Sequence, residues 1–424
     1  MPKRKNKKRI VLLDTHAIIH RAYHALPEFT GPSGAPTGAL YGLVSMLLKI
    51  ITDLKPDYIA ACYDLPKPTI RHEAYADYKG TRVKTDDALV AQIKESRKVF
   101  DAFAIPTYER EGFEADDLLG TIAEEIKSTT DVIIASGDMD TLQLVDDERV
   151  RVYTLKRGIN DTILYDEKQV LARFGFLPAL IPDWKGLRGD PSDNIKGVKG
   201  IGEKTATELI TNFGTIEKMY ATLKKGDTTL LKKGIKPRII ALLKEYEEDA
   251  RFSKSLATIR LDAPIAFALP ERPWRENIDA QKVFAMCDEF GFRTLRERIK
   301  TLFRSEPESG ETFELIPEEK VDTTRFSEAQ VMLWLISSEF TNPSLDDILA
   351  FTKERTFDAA LAVLEKQLSA LGKVREVYER IEKPLIPVVQ KMGARGVLID
   401  RNILAGLSKK YRADAEEIEK RIYT

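Results

Sequence analysis

The chain has 424 residues, with 66 Lys and Arg set against 67 Asp and Glu for a formal net charge of −1. Hydrophobic residues at 43% and charged residues at 31% suit a globular protein long enough for two or three domains. No apolar run nears the roughly 20 residues of a membrane span, no secretory leader is visible, and near-neutrality excludes a uniformly basic nucleic-acid binder, though not one that segregates its charges.

Residues 1–9, MPKRKNKKR, form a basic tail with six cationic side chains. It reads as a solvated lead-in, with weak attraction to phosphates as the alternative. IVLLD (10–14), YIAACYD (58–64) and DVIIASGD (131–138) are short apolar runs. The helix-like GALYGLVSMLLKIITDL (38–54) lies between the first two, which suggests buried parallel strands and an α/β domain. VRVYTL (150–155) and TILYD (162–166) read as an antiparallel hairpin extending that sheet. From 167 to 300 the pattern is helical around a glycine-rich turn, and 301–325 is polar and acidic, the composition of a linker. Residues 326–424 return to helical periodicity, an all-helical module. The two cysteines, Cys62 and Cys287, provide neither a disulfide framework nor a zinc site and fit a reducing cytoplasm. His16, His20 and His24 lie four apart, which reads as one helix face rather than a metal site.

The acids carry the chemistry. Asp14, Asp64 and Asp138 each close or follow an apolar run, and in open parallel sheets ligands bind beyond the carboxyl ends of strands. Further acids come in groups: Glu114, Asp116 and Asp117 in FEADDLLG, Asp138 and Asp140 in SGDMD, Asp190 and Asp193 in GDPSDN. Taken singly, EADD can be a helix start and GDPSDN a turn. Taken together, nine carboxylates at one sheet edge repel one another unless cations lie between them. Oxygen-only ligands point to two Mg²⁺ (or Mn²⁺) ions and to phosphodiester hydrolysis.

Basic and aromatic residues flank these acids. KPTIRHEAYADYKGTRVK (67–84) holds Lys67, Arg71, Lys79, Arg82 and Lys84 with Tyr75 and Tyr78 interleaved. That mixture suits single-strand binding through phosphate neutralisation and base stacking, a solvated charged helix being the plain alternative. GVKGIGEKTA (197–206) has the form of a helix-hairpin-helix turn. There Gly197, Gly200 and Gly202 would let the backbone approach a phosphate, and Lys199 and Lys204 would add charge.

VLLD with RAYHAL, RHEAYADYKGTR, EADD, SGDMDTLQLV, GDPSDNIKGVKGIGEKTA and LATI (256–259) occur in one order and spacing. On these segments the first 300 residues resemble the 5′-3′ exonuclease domain of bacterial DNA polymerase I, within the flap endonuclease family. The resemblance implies a PIN-like parallel-sheet core (10–166) with a helical arch, followed by a helix-hairpin-helix DNA-binding region (167–300). It implies Asp14, Asp64, Glu114, Asp116 and Asp117 as a first metal group and Asp138, Asp140, Asp190 and Asp193 as a second. Lys79 and Arg82 match basic residues that meet the scissile phosphate, and Arg21 lies in a segment that meets DNA. A potassium ion near the hairpin is also implied.

SEAQVMLWLISSEFTNPSLDDILAF (327–351) looks like the last helices of a 3′-5′ exonuclease-like domain, although Asp346 and Asp347 do not reproduce a proofreading metal site. IEKPLIPVVQKMGARGVLID (381–400) is similar to the opening of a polymerase domain, and no polymerase active site is expected. The expected role is a two-metal 5′-3′ exonuclease and 5′-flap endonuclease in primer removal and repair, in the bacterial cytoplasm at the nucleoid. Its partners would be branched DNA and a separately encoded polymerase, with no small-molecule cofactor. An RNA-cutting enzyme of the same core and a non-catalytic DNA clamp are the competing readings.

Overall fold

The computed structural model describes residues 7–25, 30–82, 84–147, 149–157, 161–304, 322–337, 340, 343, 345–352, 354, 356–396, 406–407 and 410–411. They fall into two units, 1–303 and 304–424.

The first unit is organised by side-chain alternation along its strands. Strands β1 (Arg9–Asp14), β2 (Tyr58–Cys62), β3 (Thr107–Tyr108), β4 (Asp131–Ala135), β5 (Val150–Arg157) and β6 (Asp161–Tyr165) form one sheet in the order β3-β2-β1-β4-β5-β6. All neighbouring pairs are parallel except β5 with β6. Successive side chains point to opposite faces. Ile10, Leu12, Tyr58, Ala60, Cys62, Val132 and Ile134 therefore enter one core, and Val11, Leu13, Ile59, Ala61, Tyr63, Ile133 and Ala135 the other. Burying each larger aliphatic chain contributes about 1.5–3 kcal/mol, so a run apolar at every position is stable only when covered on both faces.

The covering helices are α1 (Thr15–Ala25), α2 (Gly38–Leu54), α3 (Ile70–Ala74), α4 (Asp87–Ala102), α5 (Ala115–Ile126), α6 (Glu167–Phe174), α7 (Ile181–Arg188) and α8 (Glu203–Phe213). They continue as α9 (Ile216–Lys224), α10 (Thr228–Lys232), α11 (Pro237–Glu245), α12 (Glu247–Ala257), α13 (Trp274–Asn277), α14 (Ala280–Phe290) and α15 (Arg293–Arg304). One core joins α5 and the α7–α11 helices to the sheet; the other joins α1, α2, α4, α14 and α15. The chain builds β2 and β3 on one side of β1, then returns to place β4, β5 and β6 on the other. The strand order thus reverses between β1 and β4, which opens a crevice at their carboxyl ends.

Several boundaries differ from the sequence reading. The strands end at Cys62 and Ala135, so Asp64 and Asp138 stand two and three residues beyond the pairing. β3 has only two residues, too few to leave an apolar run. The β5–β6 hairpin does extend the sheet as expected, β5 pairing with β4. Among the described residues of the basic segment, Ile70–Ala74 is helical, and hydrogen-bonded turns follow it through Arg82. α15 runs to Arg304, into the segment read as linker, and 305–321 lie outside the described residues.

In the second unit, α16 (Thr323–Ile336), α17 (Leu345–Thr352), α18 (Phe357–Ser369), α19 (Lys373–Val377) and α20 (Lys383–Arg395) surround a core of Met332, Leu333, Ile348, Phe357, Leu361 and Leu364. A single π-helical turn, Tyr378–Glu382, joins α19 to α20. Most of 397–424, the end of the module read as helical, lies outside the described residues.

Candidate active site

The crevice gathers carboxylates because each is fixed by a backbone device at the strand ends. Asp14 is the last residue of β1 and only 4% exposed. It accepts hydrogen bonds from Ser136 Oγ (2.6 Å) and the Ala17 amide (3.0 Å). Burial, followed by repulsion from Asp64 and Asp138, pushes its carboxyl up to about 7 against those two hydrogen bonds. Asp64 accepts from the Ala115 amide (2.7 Å) at the start of α5, where the helix dipole favours an anion. Burial, then the charges of Asp14, Asp138, Asp64 and Asp140, raise the Asp116 carboxyl well above its usual range. Asp138 caps the short helix after β4, accepting from the Asp140 amide (2.9 Å). Burial and Asp138 push Asp140 up to about 7, while Lys185 pulls it down. Asp14, Asp64, Asp116, Asp138 and Asp140 thus share one electrostatic cluster.

The other four predicted acids are engaged by protein cations. Asp190 and Asp140 both accept from Nζ of Lys185. Burial opposes ionisation of Asp190, but Lys185 and the Ser192 hydroxyl and amide hold its carboxyl below the usual range. Asp193 accepts from Arg82 Nη2 (2.6 Å) and the Tyr78 hydroxyl (3.1 Å). Glu114 lies 3.0 Å from Lys79 Nζ and also faces the Tyr78 hydroxyl (3.2 Å). Asp117 is fully buried, and both of its oxygens are used by Arg71 and by the Glu114 and Arg260 amides. That leaves Asp117 no free lone pair for an ion, so its role here is structural. Among the described residues, no group of three or more His, Cys, Asp or Glu side chains is arranged to hold a metal ion as it stands. Lys185 lies between Asp140 and Asp190, and Arg71 contacts both Glu114 and Asp117.

The flanking residues divide the same way. Arg71 is buried, and its remaining N–H groups donate to the Leu256 (2.9 Å) and Thr258 (2.8 Å) carbonyls. It ties the EADD helix to the LATI segment and is not available to a phosphate. Tyr78 is 3% exposed, so its ring offers no free face to a base, while half-buried Tyr75 packs edge-on against Phe252 at 5.9 Å. Lys79 adopts a left-handed backbone (φ 56°), secured by its amide donating to the Asp193 carbonyl (3.0 Å). Such a conformation in a residue with a Cβ costs about 1–2 kcal/mol and tends to persist where surrounding structure fixes it. His16 directs Nδ1 toward the Asp64 amide (3.2 Å), the one α1 histidine drawn into the crevice by a hydrogen bond.

Beside the cluster lies an open cleft of about 640 Å³ lined by Asp138, Asp140 and Asp190 together with Arg21 and Arg82. Lys185, Arg173 and Arg188 also line it, and sequence reasoning missed all three. Lys185 was detectable as the cation one helical turn before GDPSD. Beyond the cleft, Gly197 (φ 65°) packs against Gly189: a Cβ there would lie 2.1 Å from the Gly189 nitrogen. Its glycine is required by packing rather than by a ligand. Gly200 (φ 87°) serves the turn, and Gly202, with open space around it, caps α8. Lys199 and Lys204 are exposed.

An α/β sheet with a crevice lined by acids and cations at its switch point, joined to a glycine-turned helical region, defines the class. Residues 9–175 match the model of the 5′-3′ exonuclease N-terminal resolvase-like domain, and residues 176–280 that of the 5′-3′ exonuclease C-terminal SAM fold. The chain belongs to the 5′-3′ exonuclease family. DNA polymerase I of Bacillus caldotenax is 38% identical over 296 residues, 70% of this chain and 33% of the relative. DNA polymerase I of Caldicellulosiruptor bescii is 28% identical over 505 aligned positions, 98% of this chain and 58% of the relative. The chain therefore spans between a third and three fifths of these two relatives. A solved structure of the bacteriophage T5 5′-exonuclease with bound zinc is 24% identical, with a TM-score of 0.47 over 59% of this chain and 89% of that one. A T5 flap endonuclease in complex with DNA and metal ions is 20% identical, with a TM-score of 0.48 over 70% and 98%.

Proposed function

We propose that this protein is a metal-dependent 5′ nuclease that hydrolyses DNA at 5′ ends and flaps. The observation that carries the reading is the clustering of Asp14, Asp64, Asp116, Asp138 and Asp140 at the sheet's switch point, where burial and neighbouring carboxylates raise the carboxyls of Asp14, Asp116 and Asp140. An all-oxygen donor set under mutual repulsion fits hard divalent cations, Mg²⁺ or Mn²⁺. Asp14, Asp64, Asp116 and Asp138 would hold one ion, with Asp140 and Asp190 facing a second. Bound there, such ions supply a hydroxide nucleophile and neutralise the leaving oxygen.

The chain's own groups do the rest. Arg21 and Arg188 in the cleft lining, with Lys199 and Lys204 beyond, draw the phosphate backbone toward the acids. Lys79 and Arg82, released from Glu114 and Asp193 by an arriving phosphate, would neutralise its charge. The hairpin at 197–202, with a potassium ion nearby, would hold duplex. The likeness to bacterial DNA polymerase I supports the bacterial cytoplasm as the location.

The test is cleavage of a fluorescent 5′-flap DNA with Mg²⁺, beside EDTA and a matched RNA flap. We expect metal-dependent release from DNA alone, and its loss in Asp138→Ala with DNA binding retained. Equal cutting of RNA would favour a ribonuclease of this core. Binding without cleavage at any Mg²⁺ concentration would favour a DNA clamp.

A further inference from the structure

Lys185 lies in the last turn of α7, buried, five residues before Asp190. Its Nζ donates to Oδ1 of Asp140 and to Oδ2 of Asp190. These acids come from separate elements, Asp140 from the short helix after β4 and Asp190 from the turn after α7. Asp140 also feels Asp138 and Asp190 as neighbouring negative charges, and Asp116 feels Asp140 in turn. Two carboxylates facing one another away from water repel strongly, and one ammonium between them removes much of that cost.

The ammonium therefore sits where a cation bridging Asp140 and Asp190 would sit. A lysine suits a temporary post: its charge is compact and its four-carbon stem swings without backbone movement, unlike a forked guanidinium. It also has somewhere to go. Lys185 lines the cleft together with Arg21, Arg82 and Arg188, so a turn of its side chain carries the charge from the two carboxylates into the open cleft.

We infer that Lys185 is an exchangeable counter-ion, which neutralises the Asp140–Asp190 pair until a divalent cation takes its place and then turns to the phosphate backbone of bound nucleic acid. The inference rests on the reading of Asp140 and Asp190 as metal-facing acids. It has a thermodynamic consequence. A cation entering this pair must displace an ammonium, so it binds more weakly than the carboxylates alone would bind it. A phosphate that receives the ammonium strengthens cation binding, and by reciprocity the cation strengthens DNA binding.

The experiment uses the full chain and Mn²⁺, with free Mn²⁺ read by electron paramagnetic resonance. Lysines are acetylated with N-hydroxysuccinimidyl acetate in EDTA or saturating Mn²⁺ and quantified by mass spectrometry. Release of the ammonium from its carboxylates should raise Lys185 labelling about fivefold with Mn²⁺, with exposed Lys199 and Lys232 unchanged. Lys185→Met should bind Mn²⁺ about tenfold more tightly than wild type, since one positive charge has left the site. Unchanged Lys185 labelling while Mn²⁺ binds overturns the exchange, and needs no variant to fold. Weaker Mn²⁺ binding by Lys185→Met also overturns it, making Lys185 a positioning residue for the acids. Failure of the wild type to bind Mn²⁺ in either assay overturns the metal reading beneath it, a result distinct from binding without exchange.

Discussion

Arg71 and Asp117 form a two-pronged ion pair, Nη1 to Oδ2 and Nη2 to Oδ1 at 2.7 Å each, and neither side chain reaches solvent to any extent. Removing one partner leaves the other charged and buried, which typically costs about 3–5 kcal/mol. Arg71→Ala should therefore lower the midpoint of urea unfolding sharply. Asp117→Asn should do so as well, with activity lost in proportion to folded protein. A stable Arg71→Ala that binds flap DNA poorly would return Arg71 to the phosphate contacts.

Tyr78 tests a similar distinction. Its hydroxyl faces Glu114 and Asp193, whose charges together with burial hold the phenol far above its usual ionisation range. Tyr78→Phe keeps the ring and deletes the hydroxyl, so it should cost about 1–3 kcal/mol of stability by leaving acceptors unpaired. If Tyr78 instead stacked on a base, Tyr78→Phe would be silent in both unfolding and DNA-binding measurements.

The metal-free protein should lose stability as pH rises from about 4 to about 7. Asp14 and Asp140 have carboxyls pushed up to about 7 from a usual value of 3.8, so the native state holds protons that the unfolded chain releases. Their contribution is fully present below 3.8 and is lost as pH passes the folded value. Thermal midpoints measured in EDTA across this range should fall, and excess Mg²⁺ should flatten the slope. A flat profile in EDTA would contradict the clustering.

Two glycines separate packing from ligand approach. Gly197→Ala puts a Cβ 2.1 Å from the Gly189 nitrogen and 2.6 Å from its Cα, at φ 65°. It should unfold the hairpin region, seen as lost amide protection in hydrogen exchange over 187–213. Gly202→Ala meets nothing within 4 Å and should cost under about 1 kcal/mol. Weakened duplex binding by this stable variant would mark Gly202 as a point of close backbone contact.

What the sequence determined by itself was whatever local chemistry dictates. Runs apolar at every position, as in IVLL and VIIA, can be stable only between two covering layers, and they are β1 and β4. Acids just past such runs fall at the sheet's carboxyl edge, and Asp14, Asp64 and Asp138 do. Glycine at 200 was legible as a turn residue because only glycine adopts φ 87° without strain. Tertiary structure decided which charges meet. Arg71 lies 46 residues from Asp117, and Lys185 lies 45 from Asp140. No periodicity encodes such separations. An arginine beside tyrosines in a basic segment looks like a phosphate contact until the fold buries it on a carboxylate. The same acid–base alphabet serves both core ion pairs and ligand sites, and only the partners that the fold brings to each group tell them apart.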